Sequence, residues 1–313
     1  MLLSVVVVNW NSRADLEACL RSLRAQTHRE LEIVVIDNGS HDGSADMVRA
    51  EFPEVKLLRE AENLGFAEAC NLGIDASCGP WVAMLNNDAT AEPKWAEELC
   101  AAAAEVPARA GMLQSLMLFQ ERPDEVNSTG IELTRSGGGR DRDAHAPRRT
   151  LEERLERQEI FCPTAGAAAY RREMLDALRL PVGYFDRDHF CYYEDMDLGW
   201  RARLAGWSAF FVPTSVVHHR YHGSTERRGS SWLFVTSRTN RLRTLLKNAS
   251  WGFVLTTTPH SAYDVARILW YGRASAARGI VRALRGGMAQ RQRVGDLSAV
   301  RRGEIERRWV VED

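Results

Sequence analysis

Residues 5–12 read VVVVNWNS, and this stretch decides the fold class of the chain. Four consecutive valines are typical of a strand that is buried on both faces, as in a parallel sheet. The polar residues 9–12 predict a turn and a helix cap, with a helix over residues 13–25. A buried strand that leads directly into a helix favours an α/β fold.

The alternation of strand and helix continues along the first part of the chain. We predict further strands at residues 31–36, 55–58 and 81–85, and helices at residues 44–52 and 63–74. The strands end in polar clusters, DNGS at residues 37–40 and NND at residues 86–88. Open α/β sheets bind ligands at the carboxyl ends of their strands, so we expect these clusters to meet in one cleft.

The charge of the chain is divided unevenly. The 313 residues carry a net charge of −1, and 45% are hydrophobic, enough for a large α/β core. Residues 227–313 hold 17 basic and 6 acidic side chains, whereas residues 1–226 hold 24 and 36. The basic tail indicates an anionic partner, such as membrane headgroups, a lipid-linked phosphate or nucleic acid, or else a solvated helix.

Cysteine usage and hydropathy favour a cytoplasmic protein. The six cysteines are scattered without a Cys-x-x-Cys pair, which is typical of free thiols in a reducing compartment. The first residues lead into a buried strand without the basic start of a signal peptide. The most apolar stretch, residues 251–270, contains Asp264 and Arg267, so no spanning helix is expected. Peripheral attachment to the inner face of the cell membrane remains an option.

Residues 194–201, EDMDLGWR, place a carboxylate pair before a helix-forming stretch. Ionised carboxylates are favoured in the first turn of a helix, and one that faces a cleft can accept a proton from a hydroxyl. The alternative is a purely structural helix start. Residues 137–158 are rich in glycine and charge, which predicts a mobile loop over the cleft or disorder.

Taken in order over residues 1–250, these motifs resemble the family 2 glycosyltransferases of the GT-A fold, especially bacterial rhamnosyltransferase-like members. The resemblance implies a Rossmann-like α/β fold, with a mixed, mostly parallel sheet flanked by helices and a basic helical C-terminal extension. It also implies a catalytic domain at residues 1–226, with a nucleotide-binding half at 1–110 and an acceptor-binding half at 111–226. Residues 227–313 then form the basic helical region.

The resemblance assigns a donor site to the polar strand ends. Asp37 corresponds to the aspartate that binds the pyrimidine, and a carboxylate that accepts from a ring N–H favours uracil or thymine over cytosine. The same residue also suits a structural Asx-turn. The remaining residues assigned to the donor nucleotide are Asn9, Asn11, Asn63, Gly65, Asn86 and Asn87.

Residues 86–88, NND, stand where the family has its D-x-D metal motif. Asp88 is expected to ligate Mg²⁺ or Mn²⁺, while Asn86 in the first aspartate position faces the ribose or sugar instead. A late histidine segment completes the metal site in this fold. His219 is the preferred ligand by its spacing from Pro213, with His218 and His222 as alternatives, and a structural role for these histidines is equally open.

Asp195 takes the role of catalytic base that the resemblance implies, in a displacement that inverts the anomeric carbon. Glu194 is assigned to acceptor binding or to tuning Asp195, and Gly166 to the acceptor side. Trp200 is assigned to acceptor stacking, with a core position as the alternative. Asp197 is expected to cap the helix, and Arg243 and Lys247 to lie on a solvated helix face.

These assignments predict an inverting, metal-dependent glycosyltransferase. It moves rhamnose or another hexose from a dTDP or UDP donor to a glycan or lipid-linked glycan. The alternatives are an inactive nucleotide- or glycan-binding module and a sugar-1-phosphate nucleotidylyltransferase. The latter is disfavoured because no glycine-rich loop follows the first strand. Residues 267–285 suit an amphipathic helix at a membrane surface, or packing on the catalytic domain or in a homo-oligomer. A nucleic-acid partner is not expected.

Overall fold

In the computed structural model, the chain is described over residues 1–152, 158–220 and 229–313, with only the backbone of residues 152 and 271–276. The strands are β1 (Leu3–Asn9), β2 (Leu31–Asn38), β3 (Lys56–Glu60), β4 (Trp81–Leu85), β5 (Ala89–Ala91), β6 (Ala110–Phe119), β7 (Arg122–Ser128), β8 (Ile131–Thr134), β9 (Gly139–Asp141), β10 (Glu159–Ile160), β11 (Ala167–Arg171), β12 (Ser208–His219) and β13 (Val310–Val311). The helices are α1 (Arg13–Arg24), α2 (Ser44–Glu51), α3 (Phe66–Ala76), α4 (Trp95–Glu105), α5 (Arg149–Glu152), α6 (Arg172–Leu178), α7 (Glu194–Leu204), α8 (Ser230–Asn248), α9 (Trp251–Thr256), α10 (Thr258–Leu297) and α11 (Arg302–Trp309).

One large mixed sheet organises the molecule, in the strand order β10-β12-β6-β11-β4-β1-β2-β3. Strands β3, β2, β1 and β4 are parallel, and β12 is parallel to β6. Strand β11 lies antiparallel between β4 and β6. The predicted α/β class with a mixed sheet is confirmed, and the parallel half delivers the carboxyl ends of β1, β2 and β4 to one side.

The valine run of β1 is buried on both faces of the sheet. Val5 and Val7 belong to the same core cluster as Leu16 of α1, whereas Val6 belongs to the opposite cluster with Ile74 of α3. Because alternate side chains of a strand point to opposite faces, a strand covered on both sides is apolar at every position. This explains why the run shows no alternation of polar and apolar residues.

Two predicted features differ from the structure. The apolar runs on either side of Pro213 belong to the single strand β12, whose pairing with β6 shifts register between Val212 and Val216. Proline lacks the N–H that a regular ladder requires, so the strand is irregular there without ending. The segment 137–158 is not disordered over its described part, because β9 pairs with β8, which also pairs with β13. Residues 153–157 lie outside the described part.

The C-terminal helices pack against one another and against α7. Helix α10 lies against α8, where a Cβ on Gly286 would stand 2.3 Å from the Arg243 side chain. Arg243 and Lys247 are 2% and 0% exposed, so the expectation that they lie on a solvated face is wrong. No described helix combines the length and the apolar character needed to cross a bilayer. The domain boundary at residue 226 remains a prediction.

Candidate active site

A cavity of about 520 Å³ lies at the carboxyl ends of the parallel strands. Its walls come from the end of β4, from β9, from the start of α7 and from the first turns of α8. Eight of the residues predicted for the site line this cavity: Asn63, Asn86, Asn87, Asp88, Gly166, Glu194, Asp195 and His219. The fold therefore brings together side chains that are up to 156 positions apart in the sequence.

Asp88 and His219 form a carboxylate–imidazole pair in the cavity. Asp88 Oδ1 lies 3.2 Å from His219 Nε2, and both side chains are mostly buried. His219 Nδ1 lies 2.9 Å from Asn127 Oδ1, which can only accept. A His219 ring that donates from Nδ1 to Asn127 turns Nε2 towards Asp88 and towards the Asn86 amide, which is 3.3 Å away.

This pair fits a divalent cation. Two ligands at about 2.1 Å from an octahedral cation, at right angles to each other, lie about 3 Å apart, close to the observed separation. Among the described residues, no group of three or more His, Cys, Asp and Glu side chains forms a complete metal site. The pair supplies two ligands, and oxygens of a bound diphosphate are suited to supply others.

His218 does not share this position. Neighbouring side chains of a strand point to opposite faces, and His218 Nε2 contacts Glu92 Oε1 at 3.1 Å instead of the cavity. His222 lies outside the described residues. His219 is therefore the histidine that fits the predicted ligand, in agreement with its spacing from Pro213.

Asn9 and Asn11 support the cavity without lining it. Asn9 Oδ1 accepts from Asn87 Nδ2 at 2.8 Å, and Asn9 Nδ2 donates to Ser40 Oγ at 3.2 Å. Asn11 Oδ1 accepts from the backbone N–H of His41 at 2.7 Å. These bonds tie the end of β1 to the loop after β2, so that Asn87, which does line the cavity, is held in place. The direct donor contacts predicted for Asn9 and Asn11 are not favoured by these positions.

Asp37 is a buried carboxylate without a hydrogen bond, at the end of β2. It is 1% exposed, and neither carboxylate oxygen accepts a hydrogen bond from the described residues, although Arg59 Nε lies 3.7 Å away. A buried acceptor without a donor is costly, and a ligand N–H would satisfy it. Asp37 itself does not line the cavity, but its neighbour Asn38 does. The predicted contact to a pyrimidine N–H thus has a chemical basis.

Gly65 shapes the cavity wall through its backbone. Its φ of +91° is in the left-handed region, and a Cβ there would stand 2.6 Å from Cδ2 of Phe190. Its N–H donates to Asn63 Oδ1 at 2.9 Å, and its carbonyl accepts from Asn38 Nδ2 at 3.2 Å. Asn38, Asn63 and Phe190 all line the cavity, so Gly65 acts by letting them meet.

Gly65→Ala should therefore destabilise the protein and weaken nucleotide binding. Overpacking of this kind costs about 1–3 kcal/mol, and moving Gly65 displaces Asn38 and Asn63. Gly206→Ala is the matched control, since Gly206 has a φ of +82° but a Cβ there would meet only Ala299 at 3.8 Å. Thermal unfolding and calorimetric titration with dTDP measure both effects. Equal behaviour of the two variants would contradict the packing role.

Glu194 and Asp195 stand at the first turn of α7 in different environments. Asp195 accepts from the backbone N–H groups of Ala165 at 3.1 Å and Met196 at 2.7 Å, whereas Glu194 Oε2 is buried without a hydrogen-bond partner. Burial raises the pKa of both carboxyls, and the charge of Asp195 raises the pKa of Glu194 further. The hydrogen bonds to Asp195 favour its ionised form, so Asp195 ionises more readily than Glu194.

Asp197 is an anchor of α7 and not a helix cap. Asp197 Oδ2 receives hydrogen bonds from Lys247 at 2.8 Å and Arg201 at 3.0 Å, and Oδ1 receives one from Asn248 at 2.8 Å. Lys247 also contacts Asp186 at 2.8 Å, and Lys247, Asp186 and Asp197 are fully buried. Helix α8 therefore holds α7, whose first turn carries Asp195.

Helix α8 also braces the chain immediately before α7. Phe190, Tyr192 and Tyr193 have φ values of 64°, 68° and 72°, which are unfavourable for residues other than glycine. The amide of Asn240 donates to the carbonyls of His189, Cys191 and Tyr192 at 2.7, 2.9 and 2.9 Å. Strained backbone persists where its surroundings fix it, and here it lies at the entrance to the carboxylate pair.

Trp200 does not reach the cavity. It is 0% exposed and packs edge-on against Phe161 and Phe253, with ring centroids 5.9 and 6.3 Å away. The acceptor-stacking assignment for Trp200 is therefore corrected to the core position that was its alternative. Aromatic residues of the segment before α7 and of α8 line the cavity instead, namely Phe190, Tyr192, Tyr193 and Trp232.

Several cavity residues were not identified from the sequence. Asp141 of β9 and Arg140 beside it line the wall opposite the strand ends, within the segment interpreted as a loop or as disordered. Burial and the nearby Asp195 raise the pKa of Asp141, while a bond from Ser128 and the proximity of His219 lower it. Asn127 and Ser128 also line the cavity. The adjacent charges at residues 140–141 were the only hint of a functional role that the sequence offered. They do not show that this segment forms a strand paired with β8.

Comparison with known proteins places this site in a family. The family described as Glycosyl transferase family 2 matches residues 4–179. The N-acetylglucosaminyl-diphospho-decaprenol L-rhamnosyltransferase of Mycobacterium tuberculosis is 28% identical, over 99% of this chain and 98% of that protein. Among solved structures, GalNAc-T7 with UDP, GalNAc and Mn²⁺ has a TM-score of 0.68 and 18% identity, over 93% of this chain and 56% of that one.

A second structural relative is the mannosyltransferase PcManGT from Pyrobaculum calidifontis in complex with GDP-Man and Mn²⁺. It has a TM-score of 0.55 and 16% identity, over 94% of this chain and 85% of that one. These likenesses show that the chain has the GT-A fold. The chain belongs to glycosyl transferase family 2, and over its whole length it is similar to a rhamnosyltransferase.

Proposed function

We propose that this chain is an inverting, metal-dependent glycosyltransferase whose donor is a dTDP- or UDP-linked hexose, with rhamnose as the preferred sugar. The observation that carries the proposal is that one cavity contains both the Asp88–His219 pair and the separate carboxyl group of Asp195. The first suits a diphosphate with a cation, and the second suits an acceptor hydroxyl.

The donor nucleotide is held by the strand ends. Asp37 accepts from the ring N–H of uracil or thymine, and Asn63, Asn86 and Asn87 supply amide groups for the ribose and sugar. Asp88 and His219 would hold Mg²⁺ or Mn²⁺. Such an ion, when bound, neutralises charge on the diphosphate as it leaves. Asn127 keeps the His219 ring in the tautomer that leaves Nε2 unprotonated.

Asp195 acts on the acceptor. Its carboxylate takes the proton of the acceptor hydroxyl while that oxygen attacks the anomeric carbon from the face opposite the diphosphate, which inverts the configuration. Glu194 stays protonated and is able to donate a hydrogen bond to the acceptor. Gly166 allows close approach, because a Cβ there would stand 3.0 Å from Met117 and 3.3 Å from Asn86. The ordered bonds to Ala165 and Met196 keep the base in position.

The acceptor class follows from the relative that matches the full chain. Because that relative's name specifies an N-acetylglucosaminyl-diphospho-decaprenol acceptor, we propose a glycan or lipid-linked glycan acceptor for this chain. The test is transfer from dTDP-rhamnose, UDP-glucose, UDP-N-acetylglucosamine and GDP-mannose to an N-acetylglucosaminyl-diphospho-polyprenol. We expect one dTDP or UDP donor to be used, with inversion seen by NMR of the product. Transfer with retention, or from GDP-mannose alone, would contradict the proposal.

The rate of transfer should depend on the ionisation of Asp195. Its pKa is raised by burial, and a protonated carboxyl is unable to accept the proton of the acceptor. We therefore expect kcat/KM to fall on acidification at a pH above the ordinary aspartate pKa of about 4. Nucleotide affinity measured over the same range separates this effect from the donor site. An acid limb at or below pH 4 would contradict the assignment.

A further inference from the structure

Helix α10 carries a stripe of exposed apolar side chains, which we call the α10 stripe: Tyr263, Trp270, Val281, Leu284 and Met288. These side chains are 60%, 85%, 45%, 39% and 46% exposed. Spacings of 7, 11 and 7 residues separate Tyr263, Trp270, Val281 and Met288, and each spacing is close to a whole number of helical turns. The stripe therefore runs along one face of the helix for about 38 Å, at 1.5 Å per residue.

The opposite face of α10 is occupied by packing within the chain. Ile268 and Ile280 are buried against Phe234 and Val235 of α8, and Asp264 forms an ion pair with Arg241 at 3.0 Å. The stripe is thus not needed to attach α10 to the protein. Contiguous exposed apolar side chains on one face of a helix indicate a partner that the isolated chain lacks.

Cations surround the stripe without acidic residues between them. Residues 265–295 contain seven arginines and no Asp or Glu. Arg278, Arg282 and Arg285 are exposed and form no ion pair with a carboxylate of the described residues. This charge disfavours pairing of the stripe with the same stripe of a second copy, because it would bring arginines against arginines. It is complementary to an anionic surface.

We propose that the α10 stripe docks on the surface of a membrane that contains anionic lipids. Tyr and Trp suit the boundary between headgroups and acyl chains, since each has an apolar ring with a polar tip. Apolar residues enter that boundary while the arginines at the flanks meet lipid phosphates. A straight stripe on a long helix has the shape to lie along a flat surface. Attachment through this stripe does not require a helix that spans the membrane.

The position of α8 links this surface to the active site. Phe234 and Val235 of α8 pack against α10, whereas Trp232, Leu233 and Ser237 of the same helix line the cavity. Packed helices lie about 8–10 Å apart, so one helix layer separates the stripe from the cavity wall. A docked enzyme would hold its cavity near the lipid surface. Membrane docking itself does not depend on the proposed transfer reaction.

The test is sedimentation of the full-length protein with phosphatidylcholine vesicles, with and without phosphatidylglycerol. We expect binding that requires phosphatidylglycerol. The triple variant Arg278→Gln, Arg282→Gln and Arg285→Gln should bind about 100-fold more weakly, because each arginine near the surface contributes about a fivefold effect. Trp270→Ser should bind about tenfold more weakly. The midpoint temperature of thermal unfolding should be unchanged in the triple variant and in Trp270→Ser, since the substituted side chains are exposed.

The matched control removes three exposed cations from the catalytic body: Arg29→Gln, Arg49→Gln and Lys94→Gln. Its net charge equals that of the triple variant in α10, so we expect it to bind vesicles as the unmodified protein does. The proposal would be overturned if both triple variants bound vesicles equally weakly. It would also be overturned if the unmodified protein bound phosphatidylcholine vesicles equally well with and without phosphatidylglycerol. A dimer seen by analytical ultracentrifugation and lost in Trp270→Ser, without vesicle binding, would assign the stripe to a second copy instead.

Discussion

Asp195→Asn should lower kcat for sugar transfer about 10³-fold, within the range that general-base catalysis contributes. The amide keeps the size of the side chain but does not take a proton, and its single oxygen accepts from only one of the N–H groups of Ala165 and Met196, which donate to different oxygens of Asp195. Affinity for the nucleoside diphosphate should be unchanged. Single-turnover transfer and calorimetric titration on the same sample measure the two quantities.

Glu194→Gln is the matched control for this prediction. Burial and the charge of Asp195 raise the pKa of Glu194 well above its ordinary value, which favours its neutral form. A neutral amide at this position therefore preserves the charge of the site, and we expect a much smaller loss of kcat than in Asp195→Asn. The assignment of the base would be wrong if Glu194→Gln lost as much activity and Asp195→Asn remained active.

Lys247→Met should lower the free energy of unfolding by about 3–5 kcal/mol, the usual result of removing one partner from a buried ion pair. The ammonium group of Lys247 lies 2.8 Å from both Asp186 and Asp197, and all three side chains are 0% exposed. Methionine fills most of the space, but two carboxylates lose their shared cation. Urea unfolding of both proteins measures the difference.

The pH dependence of this loss provides a second readout. Burial alone would raise the pKa of Asp186 and Asp197, but Lys247 and His189 outweigh it, aided at Asp197 by Arg201, so both pKa values are lowered. Their stabilising contribution is therefore present above the unfolded aspartate pKa of about 4 and is lost as the pH falls further. The difference between the two proteins should persist from pH 7 to about pH 4 and narrow as the pH falls below that value.

Arg135→Met is the control, because Arg135 and Glu312 form a similar contact at 3.0 Å with both side chains exposed. Exposed pairs contribute little to stability, so this variant should unfold like the original protein. A comparable loss in Arg135→Met and Lys247→Met, or no narrowing at low pH, would contradict the anchoring role of Lys247. In that case, the lower free energy of unfolding of Lys247→Met would have to result from altered packing alone.

The sequence was sufficient for the nucleotide-binding half because its signals are local. The valine run, the polar strand ends and the helix positions follow from neighbouring residues, and β1, β2, β4 and α3 lie close to their predicted positions. The observed bounds of these strands and of α3 differ from the predicted bounds by a few residues. The end of β2 extends to Asn38, which places Asp37 within the strand rather than in the turn after it.

The sequence was not sufficient where a role depends on contacts between distant segments. Lys247 and Asp197 are 50 positions apart, and nothing near either residue shows that they meet in the interior. Trp200 follows the carboxylate pair by few positions, yet helical geometry turns it into the core. Asp141 reaches the cavity only because β9 pairs with β8. A charged side chain in a sequence is ordinarily interpreted as exposed to solvent. Tertiary packing buries Arg243 and Lys247 instead.

The central claim is a donor site that binds a pyrimidine nucleoside diphosphate with a divalent cation. The most direct measurement is calorimetric titration with dTDP, UDP, GDP and CDP, in the presence and absence of Mn²⁺ or Mg²⁺, for the unmodified protein, Asp88→Ala and Asp195→Asn. We predict metal-dependent binding of dTDP or UDP that is lost in Asp88→Ala and retained in Asp195→Asn. Absence of binding for every nucleotide, or binding that is indifferent to metal and to Asp88, would contradict the account.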